Sequence, residues 1–235
     1  MGNFATSHTI ASLVEEDRPI CYGVLKPGDY YDQGVPLVRI VDLEGDKIEE
    51  DHLFRISPAL DRQFIRSKLN GGELLLSIQG TIGRVAITPQ TLNGANISRT
   101  IARLAIKPEH SASFIRFVLL SEPGQRLVRE VVMGTTRDSL NIGALRKIEI
   151  DLPHPIAQTK IAEILSTVDG AIEQTEALIA KCQQIKAGLM QDLFTRGITP
   201  DGHLRPTRAQ APHLYKESPL GWIPKEWGIV RVEDL

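Results

Sequence analysis

Residues 155–196 read PIAQTKIAEILSTVDGAIEQTEALIAKCQQIKAGLMQDLFTR. Apolar side chains recur at Ile161, Leu165, Val168, Ile172, Ile179 and Cys182, with Thr175 in the single gap, four and three residues apart by turns. That spacing keeps one seam of an α-helix facing another helix. After Cys182 the seam slips to Ile185, Leu189 and Leu193, an irregularity that changes supercoil winding locally without ending the helix. The boundaries are marked as well: Leu152-Pro153-His154-Pro155 supplies proline at the start, and Gly197 follows Arg196 as a stop. At a rise of about 1.5 Å per residue the rod is roughly 60 Å long. Gly170 weakens it by about 1 kcal/mol relative to alanine, and serves either close approach of another helix or a hinge. Helices draw most of their stability from packing an amphipathic face, so this stripe requires a partner, be it another helix or the chain's own preceding segment.

The chain has 235 residues, 42% hydrophobic and 24% charged, enough apolar content for the first 150 residues to form a core. It contains no apolar run long enough to span a bilayer, and Met1 to Ile10 lacks the charged-then-apolar layout of a signal peptide. These features imply a cytoplasmic protein. Cys21 and Cys182 have no metal-ligand spacing, and Cys182 sits on the helix seam as a small hydrophobe. Neither implies a disulfide or a metal.

The net charge of −2 conceals an asymmetry. Met1 to Asp61 holds 5 basic and 12 acidic side chains, whereas Arg62 to Lys147 holds 13 basic and 5 acidic. A basic half of this kind can supply the footprint that phosphates require. Ten of the thirteen are arginine, the side chain that grips phosphates and guanine edges through two hydrogen bonds at once.

Short strand patterns fill the first 150 residues. Val35 to Asp42, Glu73 to Ile78, Arg84 to Ile87, Ile97 to Ile106 and Lys147 to Leu152 read as strands, Ser113 to Ser121 and Gly124 to Val132 as helices, and 133–141 as a polar loop. The fold class expected is α+β: an irregular mixed-sheet domain followed by a long coiled-coil-forming helix. Catalytic signatures are not found. There is no Asn-Pro-Pro-Tyr-like tetrapeptide, no phosphate loop and no nucleophile elbow, and the six histidines are scattered. Glu149 and Asp151 read as solvated residues of a strand end. A binding module without cofactor or metal is the class that remains.

Four motifs in order then carry a resemblance: Gly80-Thr81-Ile82-Gly83-Arg84-Val85-Ala86-Ile87; Asn96-Ile97-Ser98-Arg99; Gly134-Thr135-Thr136 followed by Leu140-Asn141 and Leu145; and Leu152-Pro153 leading into a helix that ends Leu193-Phe194-Thr195-Arg196-Gly197. Together they resemble the target-recognition domain and spacer helix of a type I restriction-modification specificity subunit. Ser218 to Trp227 resembles the Gly-x-Ile-Pro-x-x-Trp lead-in to a recognition domain of that family. The resemblance implies a recognition domain over 1–152, a spacer and dimerisation helix over 153–197, a linker over 198–217, and a lead-in segment over 218–235. It also implies a non-catalytic subunit that reads one half of a split target in double-stranded DNA. Its implied partners are methyltransferase (modification) subunits, a restriction/translocase subunit, and a second recognition half or a second copy held through the helix. Rival readings are a stand-alone DNA-binding regulator and a DNA-independent oligomerisation or adaptor protein.

Turns between strands are where a rigid sheet exposes reading side chains. Thr81, Arg84, Ser98, Arg99, Thr135, Thr136, Arg137 and Asn141 lie in or beside such turns, and Tyr22, Lys26 and Tyr30 precede or line the loop before the Val35 strand. Of these, Arg84 and Arg137 are expected at base edges, with Arg62 and Arg66 on phosphate. Gly80 and Gly83 are expected to serve turn geometry, and Trp222 and Trp227 to pack in a core. The partner face of the helix is expected at Ile161, Leu165, Val168, Ile172, Ile179, Cys182, Ile185 and Leu189.

Overall fold

The computed structural model describes residues 5–133, 139–231 and 233. The chain divides into two compact units, up to Ser166 and from Thr167 onward.

The first unit is built on a strand pair whose side chains are buried on both faces. Leu74–Ser77 (here β7) pairs antiparallel with Ile101–Leu104 (β10), flanked by Cys21–Tyr22 (β2) on one edge and Val85–Ile87 (β8) on the other. Alternation sends Leu74, Leu76, Ala102 and Leu104 into one core with Ile10, Leu13, Phe114, Ile115, Leu119, Ile150 and Leu152. Leu75 and Ile101 enter a second core with Val38, Leu43, Leu69, Ala86 and Ile97. Burial on both sides is why Glu73 to Ile78 is nearly continuous in apolar residues where a one-sided strand would alternate.

The second core is closed by a three-stranded sheet in which Val35–Val38 (β3) pairs antiparallel with Phe54–Ile56 (β6) and parallel with Asn96–Ile97 (β9). A small hairpin of Leu43–Glu44 (β4) and Lys47–Ile48 (β5) lies between β3 and β6 in sequence. Helices Pro58–Gln63 (α1), Ala112–Leu120 (α2), Glu122–Met133 (α3) and Ile142–Leu145 (α4) complete the unit. Finally Ala5–Thr9 (β1) pairs antiparallel with Glu149–Pro153 (β11), Ala5 opposite Pro153 and Thr9 opposite Glu149. This is the α+β class expected.

Two strands differ from the pattern in the sequence. Ile97 to Ile106 is not one strand: the chain leaves β3 after Ile97, turns through a hydrogen bond from Ile101 N to Ser98 O (3.2 Å), and joins β7 as β10. Val35 to Asp42 stops at Val38, because the Asp42 carboxylate accepts from Arg39 N (2.7 Å) and from the Arg39 guanidinium, closing a 3-10 turn.

The buried charged residues described in this unit sit in ion pairs. Glu73 Oε1 accepts from Arg103 (2.7 Å) and Arg18 (2.8 Å), and Glu73 Oε2 accepts from Asn70 N (2.7 Å). Burial by itself disfavours the Arg103 charge, yet the Cys21 thiol and Glu73 beside it hold its pKa above the ordinary value. Arg116 pairs with Asp46 and lies over the Phe117 ring.

The long helix runs Pro155–Thr195 (α5). Its root is fixed by Gln158, 1% exposed, whose Oε1 accepts from Ser111 N (3.1 Å) and whose Nε2 donates to Pro153 O (2.9 Å) and lies 3.4 Å from His110 Nδ1. The His110 ring stands edge-on to His8 of β1 at 5.4 Å.

In the second unit the helix end is clamped by its own tail. Gly197 takes the left-handed conformation (φ +66°) that ends helices, and its amide still donates to Leu193 O (3.1 Å). Buried Arg205 donates to Arg196 O (3.0 Å) and Ile198 O (3.2 Å) and pairs with Glu226 (2.8 Å). A hairpin of Tyr215–Ser218 (β12) and Gly221–Pro224 (β13) follows. Trp222, expected in a core, is 42% exposed and carries the Arg208 guanidinium 3.9 Å above its ring.

Candidate nucleic-acid interface

Four chain segments of the first unit meet edge to edge at one place on its surface. Residues 22–24 run beside 97–99, with Val24 N donating to Ile97 O (2.8 Å) and Arg99 N donating to Val24 O (2.9 Å). Ile78 N donates to Thr100 O (2.8 Å), and Leu140 N donates to Ile78 O (2.9 Å). Gln79 and Ser139 form an antiparallel bridge. Gly23 makes the first of these approaches possible, because a Cβ there would stand 1.7 Å from Ile97 O.

The ladder leaves an open cleft of about 280 Å³. Ile78, Leu140 and Ile142 supply apolar lining, and Tyr22, Gln79, Arg99 and Asn141 supply polar groups. Tyr22 is half exposed, and Arg99 and Asn141 are exposed. Asn141 also caps α4, its Oδ1 accepting from Ala144 N (2.7 Å), which holds its side chain in place. Beside the cleft in sequence, the loop after Val24 carries exposed Leu25, Lys26, Tyr30 and Tyr31. Its far end is anchored by Tyr31 N donating to Arg55 O (3.0 Å), by Arg55 donating to Gly34 O (2.9 Å), and by Tyr30 standing edge-on to Phe54. A rigid frame thus presents cationic, amide and aromatic groups around one concavity. Such groups can hydrogen-bond base edges, neutralise phosphate and stack.

Tyr22, Arg99 and Asn141 are therefore brought together, with Lys26 and Tyr30 on the adjoining loop. Thr81 is exposed in the turn between β7 and β8, where Gly80 (φ +77°) and Gly83 (φ +93°) adopt left-handed conformations and Thr81 O accepts from Ser77 Oγ (2.6 Å). Two candidates are turned to internal tasks. Arg84 donates to the Leu43 and Ile40 carbonyls, and buried Ser98 shares a 2.7 Å hydrogen bond with Thr100. Thr135, Thr136 and Arg137 lie outside the described residues. Leu25, Tyr31 and Gln79 were missed by sequence reasoning; Gln79 enters through its bridge to Ser139, a pairing without local sequence signal.

The basic half is thinner at the surface than its count. Arg103 and Arg116 are buried in ion pairs, while Arg62, Arg66, Arg99, Arg126, Arg129 and Arg146 are exposed. Among the described residues no cluster of His, Cys, Asp and Glu could hold a metal ion, and no helix is long and apolar enough to cross a membrane.

A second surface lies along α5. Ile161, Leu165, Val168, Ile172, Ile179, Cys182, Ile185 and Leu189 are all exposed, with Ile172, Ile179, Ile185 and Leu189 at 52% each. The seven aliphatic side chains among them thus keep between 37% and 52% of their surface exposed.

Comparison with known proteins gives one consistent result. The type I restriction enzyme EcoBI specificity subunit of Escherichia coli is 29% identical over 217 residues, covering 88% of this chain and 44% of that protein. The S subunit of a type I restriction-modification system from M. genitalium shares the fold at a TM-score of 0.56 and 18% identity, over 83% of this chain and 47% of that one. The HsdS subunit from Thermoanaerobacter tengcongensis does so at 0.54 and 16%, over 78% and 41%. The chain spans less than half the length of the curated relatives it matches. A family model described as the type I restriction modification DNA specificity domain matches residues 34–184, and the chain belongs to that family.

Proposed function

We propose that this chain is the sequence-reading component of a type I restriction-modification complex, contacting one half of a split target in double-stranded DNA through the cleft of its first unit. The observation that carries the reading is the convergence of Tyr22, Arg99 and Asn141, from three separated segments, on one rigid concavity. Lys26, Tyr30 and Thr81 extend the surface, and Arg62 and Arg66 hold phosphate. Thr135, Thr136 and Arg137 are proposed DNA contacts from the sequence alone. Arg84 and Ser98 serve it by holding its turns rather than by touching bases.

The chain performs no chemistry itself. It docks methyltransferase subunits, and through them works with a restriction/translocase subunit in the cytoplasm. S-adenosylmethionine binds the methyltransferase, so this chain needs no cofactor. Residues 1–152 form the recognition domain, 153–197 the spacer helix, 198–217 the linker and 218–235 the lead-in to a second recognition element. The α5 face pairs with a second recognition half or with a second copy.

Methylome sequencing with and without the gene tests this reading. Loss of one two-part methylated motif on deletion, and its return on complementation, is expected. An unchanged methylome overturns it in favour of a stand-alone regulator or an adaptor.

A further inference from the structure

Gln79 stands on the cleft wall with its carboxamide uncommitted. Its backbone is held on both sides: Ile78 before it donates to Thr100 O (2.8 Å) and accepts from Leu140 N (2.9 Å), and Gln79 itself bridges to Ser139. The turn after it is pinned by Ser77, whose Oγ donates to Thr81 O (2.6 Å) and accepts from Arg84 N (2.8 Å). The side chain that leaves this frame is half-buried and lines the cleft. Among the described residues no group hydrogen-bonds its amide.

Its neighbours narrow what that amide can do. The β7–β10 register sets Ser77 opposite Ile101, and two residues further along it brings Gln79 beside Arg99, which lines the same cleft. The Arg99 guanidinium only donates, so it matches two acceptors, a guanine edge or a phosphate. Asn141 is the other carboxamide on the wall, and its Oδ1 already accepts from Ala144 N (2.7 Å) in the cap of α4. Tyr22 and Ser139 bring single hydroxyls, which cannot make two parallel bonds to one base. Among the residues lining the cleft, Gln79 is thus the one with an uncommitted acceptor and donor side by side.

One base edge answers that pair. In the major groove adenine donates from N6 and accepts at N7, the arrangement that glutamine meets with two hydrogen bonds. Guanine shows two acceptors there, thymine one acceptor and cytosine one donor. Each of these leaves half of the amide unpaired in a cleft whose lining includes Ile78, Leu140 and Ile142, where an unmade hydrogen bond is costly.

We propose that Gln79 reads an adenine of the target from the major groove through its carboxamide. This rests on the cleft being the DNA-reading surface, and it adds the base that one residue selects.

The test compares methylomes of cells complemented with the wild-type gene, Gln79→Met and Gln79→Glu. Methionine keeps the length of the side chain and removes both hydrogen-bonding groups. Glutamate keeps acceptors and loses the donor, which suits cytosine N4. Gln79→Met is expected to relax one position that is strictly adenine in the wild-type motif, lowering discrimination there by about 5- to 150-fold. Every other position should stay as strict as before. Gln79→Glu is expected to shift the same position toward cytosine. A motif that both variants leave strict at every adenine overturns the proposal. So does relaxation at a position that is not adenine, and so does equal loss of methylation at all sites by a chain whose unfolding midpoint is unchanged, the mark of a phosphate contact. If Gln79→Met does not fold, Gln79→Glu decides, and adenine retained there overturns the proposal. Failure of the underlying reading looks different. A methylome unchanged by deleting the gene overturns both, whereas a motif that vanishes on deletion but ignores Gln79 overturns only the role of this residue.

Discussion

The β7–β10 pair and helix α5 both carry recurrent large apolar side chains, and the structure treats them oppositely. Leu74, Leu75 and Leu76 are fully buried from both sides by the chain's own residues, while Ile172, Ile179 and Ile185 each keep about half their surface exposed. The difference teaches where cohesion ends and assembly begins. The first unit buries its apolar strands within itself, whereas α5 keeps an apolar face exposed, the face proposed above to meet a partner.

The strongest way to break that contrast is at the buried ion cluster. Glu73→Leu leaves Arg103, 1% exposed, without its carboxylate. A loss of about 3–5 kcal/mol of folding stability is expected, measured by denaturant unfolding. Ile172→Asp, in contrast, should change unfolding of the first unit by less than about 0.5 kcal/mol while abolishing self-association in sedimentation. Equal destabilisation by both would erase the distinction.

Within the first unit, Arg99→Ala should relax one position of the methylated motif, worth about 1–3 kcal/mol of discrimination. Arg66→Ala should leave the motif intact, weaken binding to all sequences alike and lower the salt slope by about one. Methylome sequencing and binding across a salt series separate the two. A motif kept strict in Arg99→Ala would remove Arg99 from the readers.

The smallest effect concerns acid. Burial, and then the neighbouring His8 and Lys107, lower the His110 pKa against the opposing pull of Glu109. A lowered pKa means that the unfolded chain takes up its proton first. The stability contributed by neutral His110 is therefore present above the ordinary histidine pKa of about 6.5 and is lost as pH falls through the lowered folded-state value. Unfolding midpoints followed from neutral into mildly acid solution should decline, and His110→Gln should flatten that decline.

The sequence made α5 legible because its signals are local: a repeat of four and three, prolines at the start and Gly197 at the end. The two-sided sheet was partly legible from its apolar runs. Its partition was not, because whether Ile97 to Ile106 forms one strand or two depends on β3 and β7 being elsewhere in the chain. Residue types at the cleft were readable and their company was not. Tyr22, Arg99 and Asn141 stand out in turns, but Gln79 joins them through Ser139 across 60 positions. Arg84 and Ser98 look equally available in the sequence, and only packing shows that backbone carbonyls and Thr100 occupy them.

Strand β1 was invisible for a reason that bears on how the protein is made. Ala-Thr-Ser-His-Thr pairs with a strand that leaves the ribosome 140 residues later, Thr9 with Glu149. At about 5–20 residues per second, the first strand waits roughly 7–30 seconds for its partner. A hydrophobic strand left unpaired for that long would be a template for aggregation. The same polarity that hides β1 from a reader of the sequence lets the nascent chain carry it safely until the last strand of the unit arrives to close it.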